Sequence, residues 1–208
     1  MNNNYEILEN TTTKQGNTIS LLGFNNKKSQ TLIIGVVHGD EPQGEYLINR
    51  YLSENIKEDV LFIPCLNPDG KVQETRTNSN GVDLNRNFPT KNWEHTEKDN
   101  YYSGDEPASE IETKFLVNII NKYEPKTIIT LHTPYKIVNY DGPAEELAKM
   151  ISEIIKYPVE ASIGYPTPGS FGTYAGIEKN IPTITLEMDE ECPVEDLYEP
   201  VKTIFDRL

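Results

Sequence analysis

Three side chains suited to binding a metal ion follow apolar segments of this 208-residue chain. His38 comes directly after TLIIGVV, Glu41 lies three residues later, and His132 comes directly after TIITL. Two neutral imidazoles and one carboxylate are a common ligand set for catalytic zinc, with the fourth position left to water. For either histidine alone, a loop residue in ordinary hydrogen bonds is the better interpretation. The pair together with Glu41 favours a site for one Zn²⁺ per chain.

A hydrolase with such a site also needs a base and a cation near the developing oxyanion. Glu187 ends the apolar segment PTITLEM and is the candidate base. The alternative interpretation is that Glu187 is an ordinary carboxylate exposed to solvent at the end of a strand. The acidic residues 189–191 that follow it are consistent with this alternative. Arg76 and Arg86 lie in ETRTNSNGVDLNRNFP, and a guanidinium can bind a carboxylate through two parallel hydrogen bonds. Loop arginines are otherwise ordinary surface residues, and His95, in NWEHTEKDN, is predicted to be exposed.

Alternating strands and helices are predicted to position these residues. Strands are predicted at 31–37, 60–66, 127–131 and 183–187, and helices at 43–55, 109–123 and 143–155. In the second helix, Ser109 and Glu112 have the spacing of a capping box. This order indicates an α/β domain with a largely parallel sheet covered on both faces. The carboxyl ends of parallel strands share one edge, and the long polar loops 67–107 and 164–176 are candidate walls of a site there.

Composition limits the classes of partner. A formal net charge of -14 and a pI near 4.6 argue against nucleic acid and against anionic membrane surfaces. The length predicts one domain over residues 1–208, and Cys65 and Cys192 are predicted to be separate free thiols. The segment MNNNYEILENTTTKQG has no apolar core of a signal peptide, so we expect a cytoplasmic location.

Six motifs occur in order along residues 38–187: HGDE, NPDG, TRTNSNGVDLNRNFP, YSGDEPASEIET, LHTP and ITLEM. Together they resemble the zinc carboxypeptidases of the M14 metallopeptidase type. The resemblance implies that family's fold, a mixed and mostly parallel sheet flanked by helices on both faces. It implies that His38, Glu41 and His132 bind zinc. It also implies that Glu187 is the general base and passes a proton to the leaving amine.

The resemblance further implies roles for residues in the long loops. Asn85 and Arg86 match the pair that holds the substrate's terminal carboxylate, and Arg76 matches the arginine that stabilises the oxyanion. Asp83 matches the carboxylate that orients the first zinc-binding histidine. Tyr165 matches the mobile tyrosine that contacts substrate, although packing within the loop is the alternative for one of 12 tyrosines.

Two segments, VNYDGPAEELA and IGYPTPGSFGTYAGIEKNIPTITLEM, resemble the bacterial murein peptide amidase group. This implies a small peptide substrate, the murein tripeptide, cleaved at its γ-D-glutamyl–meso-diaminopimelate amide bond during peptidoglycan recycling. A monomer and a homodimer both remain open. The alternatives are a general metallocarboxypeptidase, a zinc N-acyl amino acid deacylase of the desuccinylase or aspartoacylase kind, and a non-catalytic binding domain. The segments GVDLNRNFP and YDGPA favour the amidase over the deacylase.

Overall fold

An eight-stranded mixed sheet runs through the computed structural model, which describes residues 5–24, 30–54, 57–162 and 164–208. The strands are β1 (Glu6–Thr12), β2 (Thr18–Gly23), β3 (Thr31–Ile34), β4 (Val60–Ile63), β5 (Thr127–His132), β6 (Ile137–Asp141), β7 (Val159–Glu160) and β8 (Thr183–Glu187). The helices are α1 (Gln43–Glu54), α2 (Pro68–Gln73), α3 (Ile111–Tyr123), α4 (Glu145–Ile155) and α5 (Val194–Arg207). A 3₁₀ turn (Leu84–Arg86) and a π-helical segment (Gly172–Glu178) complete the described elements.

The sheet has the order β1-β2-β4-β3-β5-β8-β6-β7. Strand β3 pairs in parallel with β4 and β5, and β5 pairs in parallel with β8. The outer pairings β1–β2, β2–β4 and β6–β8 are antiparallel, whereas β6–β7 is parallel. The predicted mixed and mostly parallel sheet is therefore confirmed. Strands β3 and β4 are buried along their whole length because helices cover both faces of the sheet.

The two faces of the sheet carry different helices. Helices α1, α4 and α5 pack on one face, against side chains such as Ile33, Ile129 and Leu186. Helix α3 and the π-helical segment pack on the other face, against Leu32 and Ile128. Successive residues of a strand point to opposite faces, so His132 of β5 and Glu187 of β8 lie on the α3 face.

Several predicted boundaries were wrong. The first two predicted strands end early, at Ile34 and Ile63, and beyond β3 the backbone of Val36 enters the left-handed region at φ 51°. The capping box is absent, since α3 begins after Glu110 with no side-chain cap. Both predicted loops contain short helical segments. Parts of three segments named in the sequence analysis, namely Asn55, Ile163 and residues 1–4, lie outside the described residues.

Two remaining observations concern the cysteines and the helices. Cys65 and Cys192 are free thiols, as predicted. Within the described ranges, every helix is too short or too polar to cross a lipid bilayer.

Candidate metal centre and active-site cleft

The three predicted metal ligands come together at the carboxyl end of the sheet. His38 lies four residues beyond β3, Glu41 lies two residues before α1, and His132 is the last residue of β5. Their ligand atoms all lie within 4.8 Å of one another. Glu41 Oε1 is 2.8 Å from His38 Nδ1, and Glu41 Oε2 is 2.8 Å from His132 Nδ1. All three side chains are buried, with exposures between 3% and 8%.

The loop that carries His38 lies directly on helix α2. A Cβ atom added to Gly39 would come within 2.0 Å of the carbonyl carbon of Gly70 in α2, so only glycine permits this contact. The left-handed backbone at Val36 turns the chain as it leaves the sheet. Valine is β-branched, so its backbone is strained when φ is positive. Such backbone strain is frequent beside functional sites.

Asp83 and Arg76 contact His38 from the side of the long loop. Asp83 is fully buried, and its Oδ1 lies 3.2 Å from His38 Nε2. Arg76 donates through Nε to Asp83 Oδ2 at 3.0 Å, and its Nη1 lies 3.3 Å from His38 Nδ1. Burial by itself lowers the pKa of His38, but the carboxylates of Glu41 and Asp83 outweigh it and raise the pKa to about 9.

The donor set fits zinc. Since Asp83 occupies Nε2 of His38, Nδ1 is the nitrogen that faces Glu41, and His132 also presents Nδ1. Two imidazole nitrogens and one carboxylate converge on a single point, as in three-ligand catalytic zinc centres. A cation at this point would replace the protons that the imidazoles share with Glu41.

Glu187 lies beside this centre because β5 and β8 are in register. It pairs across the sheet with His132, and its side chain is buried. None of the described residues forms a hydrogen bond with Glu187 Oε2. Burial raises the pKa of Glu187, and the nearby His132 only partly opposes this. A buried carboxylate with one unpaired oxygen next to a metal centre is a candidate general base.

A cleft of about 310 Å³ opens in front of these residues, and Asn85 and Arg86 line it. Arg86 is only 5% exposed and donates to the carbonyl oxygen of Asn85 at 2.8 Å. In the described part of the chain, its guanidinium forms no ion pair with a carboxylate. The side-chain oxygen of Asn85 accepts from the backbone N–H of Phe171 at 2.8 Å, which leaves its NH₂ group as a donor. Together they form a site for an anion.

Comparison with known proteins identifies the family. The sequence profile of the zinc carboxypeptidases matches residues 2–153. The chain belongs to this family. Murein peptide amidase A of Escherichia coli (strain K12) is 33% identical over 171 residues, which cover 75% of this chain and 69% of the relative. The murein peptide amidase A of Vibrio campbellii is 35% identical over 179 residues, which cover 77% and 69%. The crystal structure of the murein-tripeptide amidase of E. coli O157 superposes with a TM-score of 0.83 at 28% identity, covering 97% of this chain and 89% of that one.

These findings confirm the resemblance drawn from the motifs and make this zinc carboxypeptidase a peptide-bond hydrolase. The matched family segment ends at residue 153 and does not include Glu187. The position of Glu187 beside the metal centre is instead set by its pairing with His132.

Two tyrosines of this carboxypeptidase line the cleft. Tyr165 is 43% exposed and lines the cleft together with Tyr135. Tyr101, which the sequence analysis missed, lies with its ring 5.2 Å from the guanidinium carbon of Arg76 and 5.7 Å from that of Arg86. No sequence motif could have indicated that Tyr101 packs beside the two arginines, because the loop that carries Tyr101 contacts them only in the folded chain. His95 is exposed, as predicted.

Proposed function

We propose that this metallopeptidase hydrolyses the γ-D-glutamyl–meso-diaminopimelate amide bond of murein tripeptide. The observation that carries the proposal is the buried guanidinium of Arg86, which has no carboxylate partner among the described residues and opens into the cleft. A buried guanidinium that no carboxylate contacts directly is costly, and a substrate carboxylate would offset that cost. The likeness to the murein peptide amidases supports this choice of bond.

Arg86 and the free NH₂ group of Asn85 would bind the α-carboxylate next to the scissile nitrogen. Asn85, Arg86 and Glu187 line the same cleft, which supports a bound position in which that nitrogen would lie close to the candidate base. Tyr165, at the cleft mouth, would contact the substrate from solvent. The enzyme would therefore require a free carboxylate on the departing residue.

The chemistry that zinc supplies when bound at His38, Glu41 and His132 is Lewis-acid polarisation of the scissile carbonyl and of water. Glu187 would accept a proton from the attacking water at its unpaired Oε2 and then deliver it to the departing nitrogen. The guanidinium of Arg76 would face the negative charge that develops on the carbonyl oxygen.

The proposal includes the setting that the resemblance implies. We propose one catalytic domain over residues 1–208 with one zinc ion per chain, acting in the cytoplasm in peptidoglycan recycling. The likeness to murein peptide amidase A and to the murein-tripeptide amidase supports the link to peptidoglycan.

The test is mass spectrometry of the zinc-loaded protein after incubation with L-Ala-γ-D-Glu-meso-diaminopimelate. We expect free diaminopimelate from the wild type and none from Glu187→Gln, with equal zinc content in both proteins. If the wild type binds one zinc and leaves this tripeptide intact, the proposed substrate is wrong. Cleavage of α-linked C-terminal peptides or of N-acyl amino acids would then indicate a general carboxypeptidase or a deacylase.

A further inference from the structure

Glu110, the residue directly before α3, is a buried glutamate that the reaction described above does not use. It is 6% exposed, and it does not line the cleft. Within the described residues, its carboxylate accepts hydrogen bonds from three neutral donors, the side chains of Asn78, Asn80 and Ser109. A charged group is costly to bury unless hydrogen bonds compensate, so the location of these donors indicates what the carboxylate holds in place.

Glu110 contacts both ends of the segment 78–87. Its Oε2 accepts from Asn78 Nδ2 at 2.7 Å, and its backbone N–H donates to Asn87 Oδ1 at 3.2 Å. Its Oε1 accepts from Ser109 Oγ at 2.6 Å, and that hydroxyl oxygen in turn accepts from Asn87 Nδ2 at 3.0 Å. One residue thereby joins the start of this segment to its end.

The two asparagines are themselves fixed to the backbone around them. Asn78 is buried, and its Oδ1 accepts from the backbone N–H groups of Asn80 at 3.0 Å and Val82 at 3.1 Å. Asn87 is also buried, and its Nδ2 donates to the backbone carbonyl oxygen of Ser103 at 2.7 Å. A shift of either asparagine side chain would therefore move the backbone of the segment.

Three residues of the candidate site lie between these ends, namely Asp83, Asn85 and Arg86. The backbone N–H of Arg86 donates to the carbonyl oxygen of Asp83 at 2.9 Å, and that of Asn87 donates to Leu84 at 3.2 Å. These bonds form a tight turn, so the position of Asn87 is passed directly to Arg86. A displacement of about 1 Å at a group that positions the substrate can cost about 100-fold in rate.

We propose that Glu110 is a positioning residue for the hydrolysis, which fixes Asn85 and Arg86 in the cleft by binding Asn78 and Asn87. Glu110 acts only through these side chains, because it does not line the cleft. The inference rests on the proposed function in one respect, the binding of the substrate carboxylate by Asn85 and Arg86. Loss of the contact would loosen the segment and weaken recognition of that carboxylate.

The first measurement is hydrogen–deuterium exchange, read by mass spectrometry, of zinc-loaded wild type and variants. We expect Glu110→Ala to speed exchange in segment 78–87 about 10- to 100-fold, because hydrogen bonds to a charged group are lost. Strands β3, β5 and β8 should exchange as in the wild type. Glu110→Gln can still accept from both asparagines and donate to the serine hydroxyl, so its exchange should stay within about 3-fold of wild type. Glu106→Ala truncates an exposed glutamate of the same loop and is the matched control.

The second measurement is kcat/KM for the murein tripeptide and for the same peptide with a carboxamide in place of the carboxylate next to the scissile nitrogen. Glu110→Ala should lower the preference for the carboxylate about 10-fold or more, chiefly through KM. Glu110→Gln and Glu106→Ala should keep the wild-type preference. A general loss of stability would lower both rates alike and leave their ratio unchanged. Melting temperature and zinc content are measured for every variant.

Asn78→Asp removes the donor from the other side of the same contact, and it replaces Glu110→Ala if that variant does not fold. Wild-type exchange in segment 78–87 together with the wild-type carboxylate preference, in either folded variant, would overturn the inference. A Glu110→Gln protein as impaired as Glu110→Ala would also overturn it, since glutamine keeps the acceptor. If wild type cleaves neither peptide, the proposed function is overturned, whereas faster exchange confined to segment 78–87 in Glu110→Ala still supports the hold of Glu110 on this segment.

Discussion

The guanidinium of Arg86 provides the sharpest test of how the cleft recognises its substrate. We consider Arg86→Gln together with a substrate in which the carboxylate next to the scissile nitrogen is replaced by a carboxamide. Each change removes one partner of the proposed ion pair, so the two changes together form a double-mutant cycle across the interface. Glutamine keeps a polar side chain of intermediate length and removes the charge.

The size of the effect follows from the burial of this side chain. Arg86 is 5% exposed and forms no direct ion pair among the described residues, although the buried carboxylate of Asp83 is close enough for its pKa to be lowered by this guanidinium. Truncating one partner of a buried charge pair costs about 2–5 kcal/mol, which is about 30- to 5,000-fold in kcat/KM. The NH₂ group of Asn85 remains as a donor in the variant. We therefore expect the lower part of this range, a fall of about 100-fold.

The assay is kcat/KM for both substrates with wild type and Arg86→Gln, with zinc content measured in parallel. Wild type should discriminate strongly between carboxylate and carboxamide, and the variant should discriminate weakly. Arg207→Gln, which removes an exposed arginine charge at the end of α5, is the matched control. The assignment is refuted if wild type cleaves the carboxamide as fast as the carboxylate, or if the variant loses activity equally on both.

Three further predictions concern residues around the site. Asp83→Asn keeps the shape of the residue that contacts His38 but removes its charge, and should weaken zinc binding about 10- to 100-fold in competition with a chelator. Burial raises the pKa of Glu112 to about 7, despite the hydrogen bond from Asn78, so the folded state binds this proton more tightly than the unfolded state. Stability should therefore fall as the pH rises from 5 to 8, and Glu112→Gln should remove up to about 3 kcal/mol of that fall in urea unfolding. Tyr101→Leu removes the ring that lies near both guanidiniums and should lower kcat/KM about 3- to 10-fold, whereas Tyr101→Phe keeps the ring and the rate.

For each of these three predictions, one experimental outcome would contradict the reasoning. A folded Asp83→Asn protein with the zinc Kd of the wild type would show that this carboxylate does not support the ligand. Parallel pH profiles of unfolding for wild type and Glu112→Gln would show that this glutamate does not titrate near neutrality. Equal losses in the two Tyr101 variants would assign the effect to the hydroxyl group instead of the ring.

The clustering of the three candidate metal ligands was predictable from the sequence because its signals are local. His38 and His132 each follow a short run of β-branched and apolar residues, and Glu41 lies three residues after His38. Such runs form buried strands whatever the rest of the chain does, and parallel strands bring their carboxyl ends to one edge. The long polar loop 67–107 was also recognisable from its own sequence, because its residues match the motifs of the family.

Elements whose stability depends on distant partners were missed. Strands β1, β6 and β7 have polar or half-exposed residues that resemble loop sequence, and they are strands because a neighbouring strand pairs with them. The segment 194–207, which is acidic in its first turn, was not among the predicted helices. It becomes helix α5 because Leu197, Val201 and Phe205 pack on the sheet.

By itself, therefore, the sequence determined which residues are candidate metal ligands and which strands lead to them. Only the tertiary structure decided what surrounds them. The start of α3 brings Glu110 to both ends of the segment 78–87, and the closing of the long loop places Tyr101 beside both arginines. Strand register and loop closure depend on contacts between residues far apart in the chain, and a local pattern of side chains does not encode those contacts.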